Sequence, residues 1–147
     1  KNWHYLGAAR NYISRERQGG YEDALREHDL PINQQYIWQG NYTIQSGVEG
    51  ATRLLTKHPE IEALFVINYY MSLGALKALR QNFSKRHVEM LVFDHFFVND
   101  IFYPSISSIE QPVATIGKTA GRLLIERLVK GKEDNYETIY CKNSLRT

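Results

Sequence analysis

The chain has 147 residues, 43% hydrophobic and 23% charged, and its 18 lysines and arginines stand against 16 aspartates and glutamates for a net charge of +2. That is the make-up of one globular domain with its own core. It excludes disorder, collagen, coiled coil and small disulfide scaffolds, and it is too balanced for charge alone to imply a polyanion partner. The longest apolar run, Ala63 to Ile67, falls far short of the roughly 20 residues of a membrane helix. Cys141 stands alone, so no internal disulfide is expected. No signal peptide is visible, and the chain runs from Lys1 straight into strand-like sequence, as a fragment of something longer would.

In chain order, Trp3 to Leu6 reads as a strand and Gly7 to Tyr12 as a loop. Ser14 is a candidate N-cap for a helix through Glu27, with Tyr21, Ala24, Leu25 and His28 at helical spacing, and Leu30-Pro31 stops it. Tyr36 to Trp38 is a second strand. Thr43 or Asn41 caps the next helix, whose face holds Ile44, Val48, Ala51 and Leu55 and which ends at His58-Pro59. Ala63 to Ile67 is continuously apolar, the mark of a parallel strand buried on both faces. Met71 to Leu79 forms a helix carrying Leu73, Leu76 and Leu79, and Val88 to Phe93 a further buried strand. Phe96 to Tyr103 is an aromatic loop or short helix, and Ser107 to Glu110 is extended. Pro112 suits the first turn of a helix to Lys130, with Gly131 at its end, and Glu137 to Tyr140 reads as a closing strand.

Strand and helix alternating at this rhythm predict an α/β fold: a parallel sheet with helices on both faces. Ligands of such sheets bind at the carboxyl ends of the strands. The first strand end and the helix after it supply Arg10, Asn11, Arg15 and Arg17, the second Asn41 and Tyr42, the third Asn68 and the fourth Asp94. An arginine donates a fork of hydrogen bonds, an aromatic stacks on a sugar or base, an amide both donates and accepts, and a carboxylate accepts two hydroxyl bonds. Each also has a plain structural role: solvated helix charge, rim cover, helix cap or loop ion pair. Taken together, one such group at each consecutive strand end is a binding-site layout.

Catalytic and metal templates are absent. There is no Gly-rich phosphate loop and no nucleophile elbow, and the five histidines, His4, His28, His58, His87 and His95, lack metal-ligand spacing. No cofactor, metal or enzymatic activity is expected. Asn41-Tyr42-Thr43 and Asn82-Phe83-Ser84 match glycosylation sequons, a common chance match.

Several motifs resemble those of LacI/GalR-type bacterial transcriptional regulators, in order along essentially the whole chain. Arg15 to Tyr21 resembles their R-x-x-G-aromatic helix start, and Gly40-Asn41-Tyr42 with Ser46-Gly47 their next strand-to-helix turn. Val66 to Leu76 is similar to their N-D-x-M-A-x-G-x-L signature. Phe93-Asp94, Pro104 and Ser107 to Pro112 resemble their aromatic-Asp strand end and Q-P crossover, and Ile116-Gly117 to Gly131 their M-G-x-x-A-x-x-L-L-L helix.

The resemblance implies a helix-turn-helix head followed by a periplasmic-binding-protein-like core of two subdomains with the effector between them. Residues 1–110 would belong to the C-terminal effector-binding subdomain, 111–131 to the crossover and helix of the N-terminal one, and 132–147 to a return strand. The DNA-binding head would lie outside these residues. Carried over by position, Arg17 would hold effector hydroxyls, Tyr42 would stack, Asn68 and Asp94 would be the effector-binding amide and carboxylate, and Gln111 would lie near the ligand. Leu73 and Phe102 match the family's dimer interface.

Some positions depart from the pattern. Tyr69 replaces the usual aspartate, which leaves the cap of the Met71 helix open, Val92 a usual glycine, and His95 a common acidic residue. With Tyr70, Phe96 and Phe97 the mouth becomes unusually aromatic, through an altered effector preference or a covered interface. The implied protein is a cytoplasmic, homodimeric regulator with a small effector, a sugar foremost, touching DNA only through its head and no membrane. A periplasmic sugar-binding protein of related fold is the alternative. A flavodoxin-like enzyme or receiver domain is disfavoured, because Leu6 to Ala9 supplies neither a phosphate loop nor an acidic cluster.

Overall fold

The computed structural model describes residues 3–8, 11–101, 106–130 and 137–147. Strands β1 (Trp3–Ala8), β2 (Ile37–Gly40), β3 (Ala63–Val66), β4 (Glu89–Phe93), β5 (Ser107–Glu110) and β6 (Ser144–Arg146) alternate with helices α1 (Tyr12–Glu27), α2 (Ile44–Lys57), α3 (Tyr69–Asn82) and α4 (Val113–Lys130). Two short 3-10 turns, Gln34–Tyr36 and Phe97–Asp100, complete the set. The strands form one sheet in the order β2-β1-β3-β4-β5-β6. The first five are parallel, so their carboxyl ends share one edge, while β6 pairs antiparallel with β5.

Register separates the two sheet faces. Tyr5, Phe65 and Leu91 lie side by side on one, and His4, Leu64 and Met90 on the other. On the first face α1 packs its Tyr21 ring 5.4 Å from Tyr5. Beyond α1, Phe65, Leu91, Phe93 and Ile109 leave an apolar groove of about 560 Å³. Helices α2 and α3 pack together and against strands β1 to β4. They meet through Gly47 and Gly74: a Cβ on Gly47 would stand 2.2 Å from the Met71 carbonyl oxygen, and one on Gly74 2.1 Å from that of Ile44. Such an approach leaves no room for a side chain. The parallel α/β architecture is thus the one the apolar runs predict, with a mixed edge at β6.

Details differ from the sequence-based expectation. Gly7 and Ala8 extend β1, and α1 is capped by Asn11 rather than Ser14, because the Asn11 side-chain oxygen accepts the Ser14 amide at 2.8 Å. Tyr36 belongs to a 3-10 turn. Thr43, not Asn41, caps α2, and Ile44 at its first position is 42% exposed. The buried stripe of α3 is Met71, Ser72, Gly74, Ala75 and Ala78, while Leu73, Leu76 and Leu79 flank it half-buried, since only small side chains admit α2 so closely. The closing strand is Ser144–Arg146 and not Glu137 to Tyr140, held where Arg146 Nε donates to Glu110 at 2.7 Å. Arg10, Phe102, Tyr103, Pro104 and Gly131 lie outside the described residues.

Helix α4 stands apart. It buries no described side chain, and Val113, Leu124, Ile125, Leu128 and Val129 are all more than 60% exposed. Among the described residues no helix is long and apolar enough to cross a membrane.

Candidate functional site

Each parallel strand delivers one polar group to the carboxyl edge. Asn11 follows β1, Tyr42 follows β2, Asn68 follows β3, Asp94 follows β4 and Gln111 follows β5. Two of these positions are conformationally unusual. Tyr42 (φ 65°) and Asp94 (φ 78°) occupy the left-handed region, which a bulky tyrosine adopts rarely. Such outliers cost on the order of 1–3 kcal/mol and gather at ligand sites and clamps.

The side chains form two clusters. In the first, Tyr42 Oη donates to Asn11 Oδ1 at 3.0 Å and lies 2.6 Å from Ser14 Oγ, a serine that is itself buried. Ser14, read from sequence as a cap, thus holds the Tyr42 phenol instead. No sequence signal marks that role, because the two residues are 28 apart and meet only once β1 and β2 pair.

In the second cluster, Asn68 caps α3 by accepting the Met71 amide at 3.1 Å, so the helix keeps its cap although Tyr69 stands in the place of an aspartate. Gln111 Nε2 donates to Asp94 Oδ1, and the Asp94 amide donates to the Ile109 carbonyl at 3.1 Å. Asn68, Asp94 and Gln111 line one cavity of about 460 Å³, together with Tyr69, Tyr70, Phe96 and Glu110. His95 anchors its outer wall. His95 Nδ1 lies 2.8 Å from Ser108 Oγ, and its Nε2 faces Arg146 at 3.1 Å and Asp100 at 3.5 Å.

Arg17 lies between the clusters but opens toward neither. Its guanidinium sits 3.7 Å from the Phe93 ring centroid and donates to the Ile67 carbonyl. Burial pulls its pKa below the usual arginine value, and the nearby Asp94 carboxylate opposes that shift. It lines the apolar groove beside α1 rather than the 460 Å³ cavity. A guanidinium carries five donors, and Ile67 takes one. The structure therefore bonds Gln111 to Asp94 and sets Asn68 in the same cavity, pairs Asn11 with Tyr42, and keeps Arg17 adjacent through Phe93 and Ile67. Leu73 is half-buried on α3 and does not line the cavity. Among the described residues no group of histidine, cysteine and carboxylates is placed to hold a metal ion.

Comparison with known proteins gives this edge a context. Residues 1–145 match the periplasmic binding protein-like domain family. The chain is 33% identical over 120 residues to the HTH-type transcriptional repressor PurR of Vibrio parahaemolyticus, covering 80% of this chain and 36% of that protein. It is 34% identical over 121 residues to the HTH-type transcriptional regulator AscG of Escherichia coli, again 80% of this chain and 36% of the relative. Among solved structures, the complex of the transcriptional regulator CelR with cellobiose superposes with a TM-score of 0.87 at 25% identity, over 99% of this chain and 45% of that one. The chain thus spans about a third of the length of these curated relatives and about half of the solved regulator. The chain belongs to the periplasmic binding protein-like domain family, and the sequence relatives and structural neighbours that share this fold with it are LacI-type transcriptional regulators.

Proposed function

We propose that residues 1–147 are the effector-sensing part of a cytoplasmic LacI-type regulator that takes a small neutral effector, a sugar, at the carboxyl edge of β1 to β5. The observation that carries this is the convergence of Asn68, Asp94 and Gln111 on one cavity beside aromatic side chains. Carboxylate and amides exchange hydrogen bonds with sugar hydroxyls, and an aromatic covers the apolar ring face. The solved relative CelR holds cellobiose. Asn11 and Tyr42 complete the rim, and Arg17 stands behind it with its guanidinium on Phe93.

Residues 111–131 belong, in this reading, to the N-terminal subdomain, while 1–110 and 132–147 form the C-terminal one. The exposed apolar surface of α4 supports this division, because a face of that size calls for a partner. Effector binding between the two subdomains shifts their closure and so the pairing of DNA-binding heads, by differential affinity for two states. A homodimer contact through Leu73 and Phe102 fits the same scheme. The curated relatives are regulators, which favours this reading over a transport-type binding protein.

Calorimetry of the full-length regulator against neutral sugars tests it. Asp94→Ala leaves hydroxyls and the Gln111 amide without their acceptor, a loss of about 1–3 kcal/mol. Effector affinity is expected to fall roughly five- to a hundredfold at unchanged melting temperature, with DNA binding retained. Native-like affinity in Asp94→Ala overturns the site assignment.

A further inference from the structure

The outer half of the 460 Å³ cavity is aromatic. The Tyr69 and Phe96 rings stack with centroids 3.8 Å apart at 26°, and Tyr70 stands edge-on to Tyr69 at 5.4 Å with 57% of its surface exposed. Two neighbouring apolar side chains, Phe97 and Ile101, are 72% and 71% exposed yet do not line the cavity. The aromatic surface is therefore divided. Phe97 and Ile101 stay outside the cavity, while Tyr69, Tyr70 and Phe96 share it with Asn68, Asp94 and Gln111.

Charge narrows the ligand. Of the cavity's two carboxylates, Glu110 is paired with Arg146 and Asp94 accepts from Gln111, with His95 also in the lining, while the Arg17 guanidinium is turned onto Phe93 and lines the other groove. Arg146, the other nearby cation, is occupied by Glu110 at 2.7 Å and by His95. The Asp94 carboxylate accepts hydrogen bonds from hydroxyls and repels phosphate. A rigid aromatic shelf beside it fits a ring with C–H groups on its face and hydroxyls on its rim.

We propose that Tyr69, Tyr70 and Phe96 form a second saccharide subsite, next to the one at Asp94 and Gln111, so that the effector is a neutral saccharide of at least two rings. This rests on the sugar-sensing reading above and adds ring number and charge to it. The first ring meets Asn68, Asp94 and Gln111. The second lies on the shelf, its face against Tyr70.

The test is calorimetry of the full-length regulator, wild type and Tyr70→Ala, against four sets of probes: neutral monosaccharides, disaccharides built from them, sugar 6-phosphates and purine bases. A stacking contact predicts that a disaccharide binds about tenfold more tightly than its component monosaccharide. Tyr70→Ala is expected to bring the disaccharide down to the monosaccharide's affinity, and Tyr70→Trp to restore the preference. Equal affinities for mono- and disaccharide, or a parallel loss of both in Tyr70→Ala, overturn the second subsite and leave the sugar-sensing reading standing. Tightest binding by a sugar phosphate or a purine overturns both. So does the absence of binding by any probe. Loss of dimer mass in Tyr70→Ala on sedimentation, with disaccharide affinity intact, also overturns the proposal and assigns the aromatics to a protein interface.

Discussion

Helices α2 and α4 are built from similar sequence and meet opposite surroundings. Both carry two glycines and an Arg-Leu-Leu: Gly47, Gly50 and Arg53-Leu54-Leu55 in α2, Gly117, Gly121 and Arg122-Leu123-Leu124 in α4. In α2 the glycines and both leucines are buried, Leu54 at 3% and Leu55 at 1% exposure. In α4 Leu124 is 61% exposed, and nothing lies within 4 Å of where a Cβ on Gly117 or Gly121 would be. An apolar stripe says that a helix needs cover, and the topology decides whether that cover is near. β2 returns the chain so that α2 lies across β1 and against α3. β5 instead releases α4 from the sheet edge, and its partner is, on the proposed division, the other subdomain.

The sharpest way to break this contrast is a branched side chain at the α2–α3 contact. Gly74→Val puts a Cβ 2.1 Å from the Ile44 carbonyl oxygen and 2.7 Å from the Val48 amide nitrogen, both backbone atoms with no means of turning aside. Overpacking of this kind costs about 1–3 kcal/mol where side chains yield, and here backbone must move instead. Loss of the cooperative thermal transition is the expected result. A melting temperature within a few degrees of wild type would show that α2 and α3 are less closely joined.

Cavity creation gives the next effect. Leu55→Ala removes a side chain at 1% exposure and is expected to cost about 2–5 kcal/mol in urea titration. Leu128→Ala, at 75% exposure on α4, is expected to stay within about 0.5 kcal/mol of wild type. Equal costs would mean that α4 is covered in residues 1–147.

How far the fold was legible follows from the same distinction. The parallel strands were readable because burial on both faces leaves an uninterrupted apolar run, as in Ala63 to Ile67. The strand-end groups were readable because a parallel sheet sends all its carboxyl ends to one edge, and Asn68, Asp94 and Gln111 do converge there. What depends on long-range pairing was not readable. The sequence shows α3 carrying Leu73, Leu76 and Leu79, but the face it buries is Met71 with the small Ser72, Gly74, Ala75 and Ala78. β6 takes its place by pairing with Glu110 and Ile109, not by any pattern of its own, since all three of its residues are exposed. Arg17 carries a family motif, yet its stacking on Phe93 rather than into the cavity rests on a contact 76 residues away.

Alkaline titration probes the packed half alone. Burial pushes the Tyr5 phenol up, and pushes Tyr21, 9% exposed, from 10.0 to about 12, with Glu22 adding to the shift. A phenol whose pKa is higher in the folded state stabilises the fold fully below pH 10. That stabilisation is lost as pH rises from 10 toward 12, at about 1.4 kcal/mol per unit. The wild-type chain is expected to lose stability more steeply over this window than Tyr21→Phe. Parallel curves would mean that Tyr21 ionises freely and that α1 does not cover the sheet.

The smallest effect sharpens the contrast from the other side. Gly117 sits in the second turn of α4, and a Cβ there meets nothing within 4 Å. Glycine in a helix interior is less favourable than alanine by roughly 0.5–1 kcal/mol, because its backbone loses more freedom on folding. Gly117→Ala is therefore expected to stabilise residues 1–147 by about that amount in urea titration, whereas the same change at Gly47 would meet the Met71 backbone and destabilise. Repeating Gly117→Ala in the full-length regulator then asks what covers α4. If an N-terminal subdomain packs its backbone against Gly117, as Met71 packs against Gly47, the gain turns into a loss and effector-driven closure weakens with it. A gain in both chains would place the subdomain contact on another face of the helix, around Leu124, Ile125 and Leu128, and leave Gly117 as a solvent-facing position.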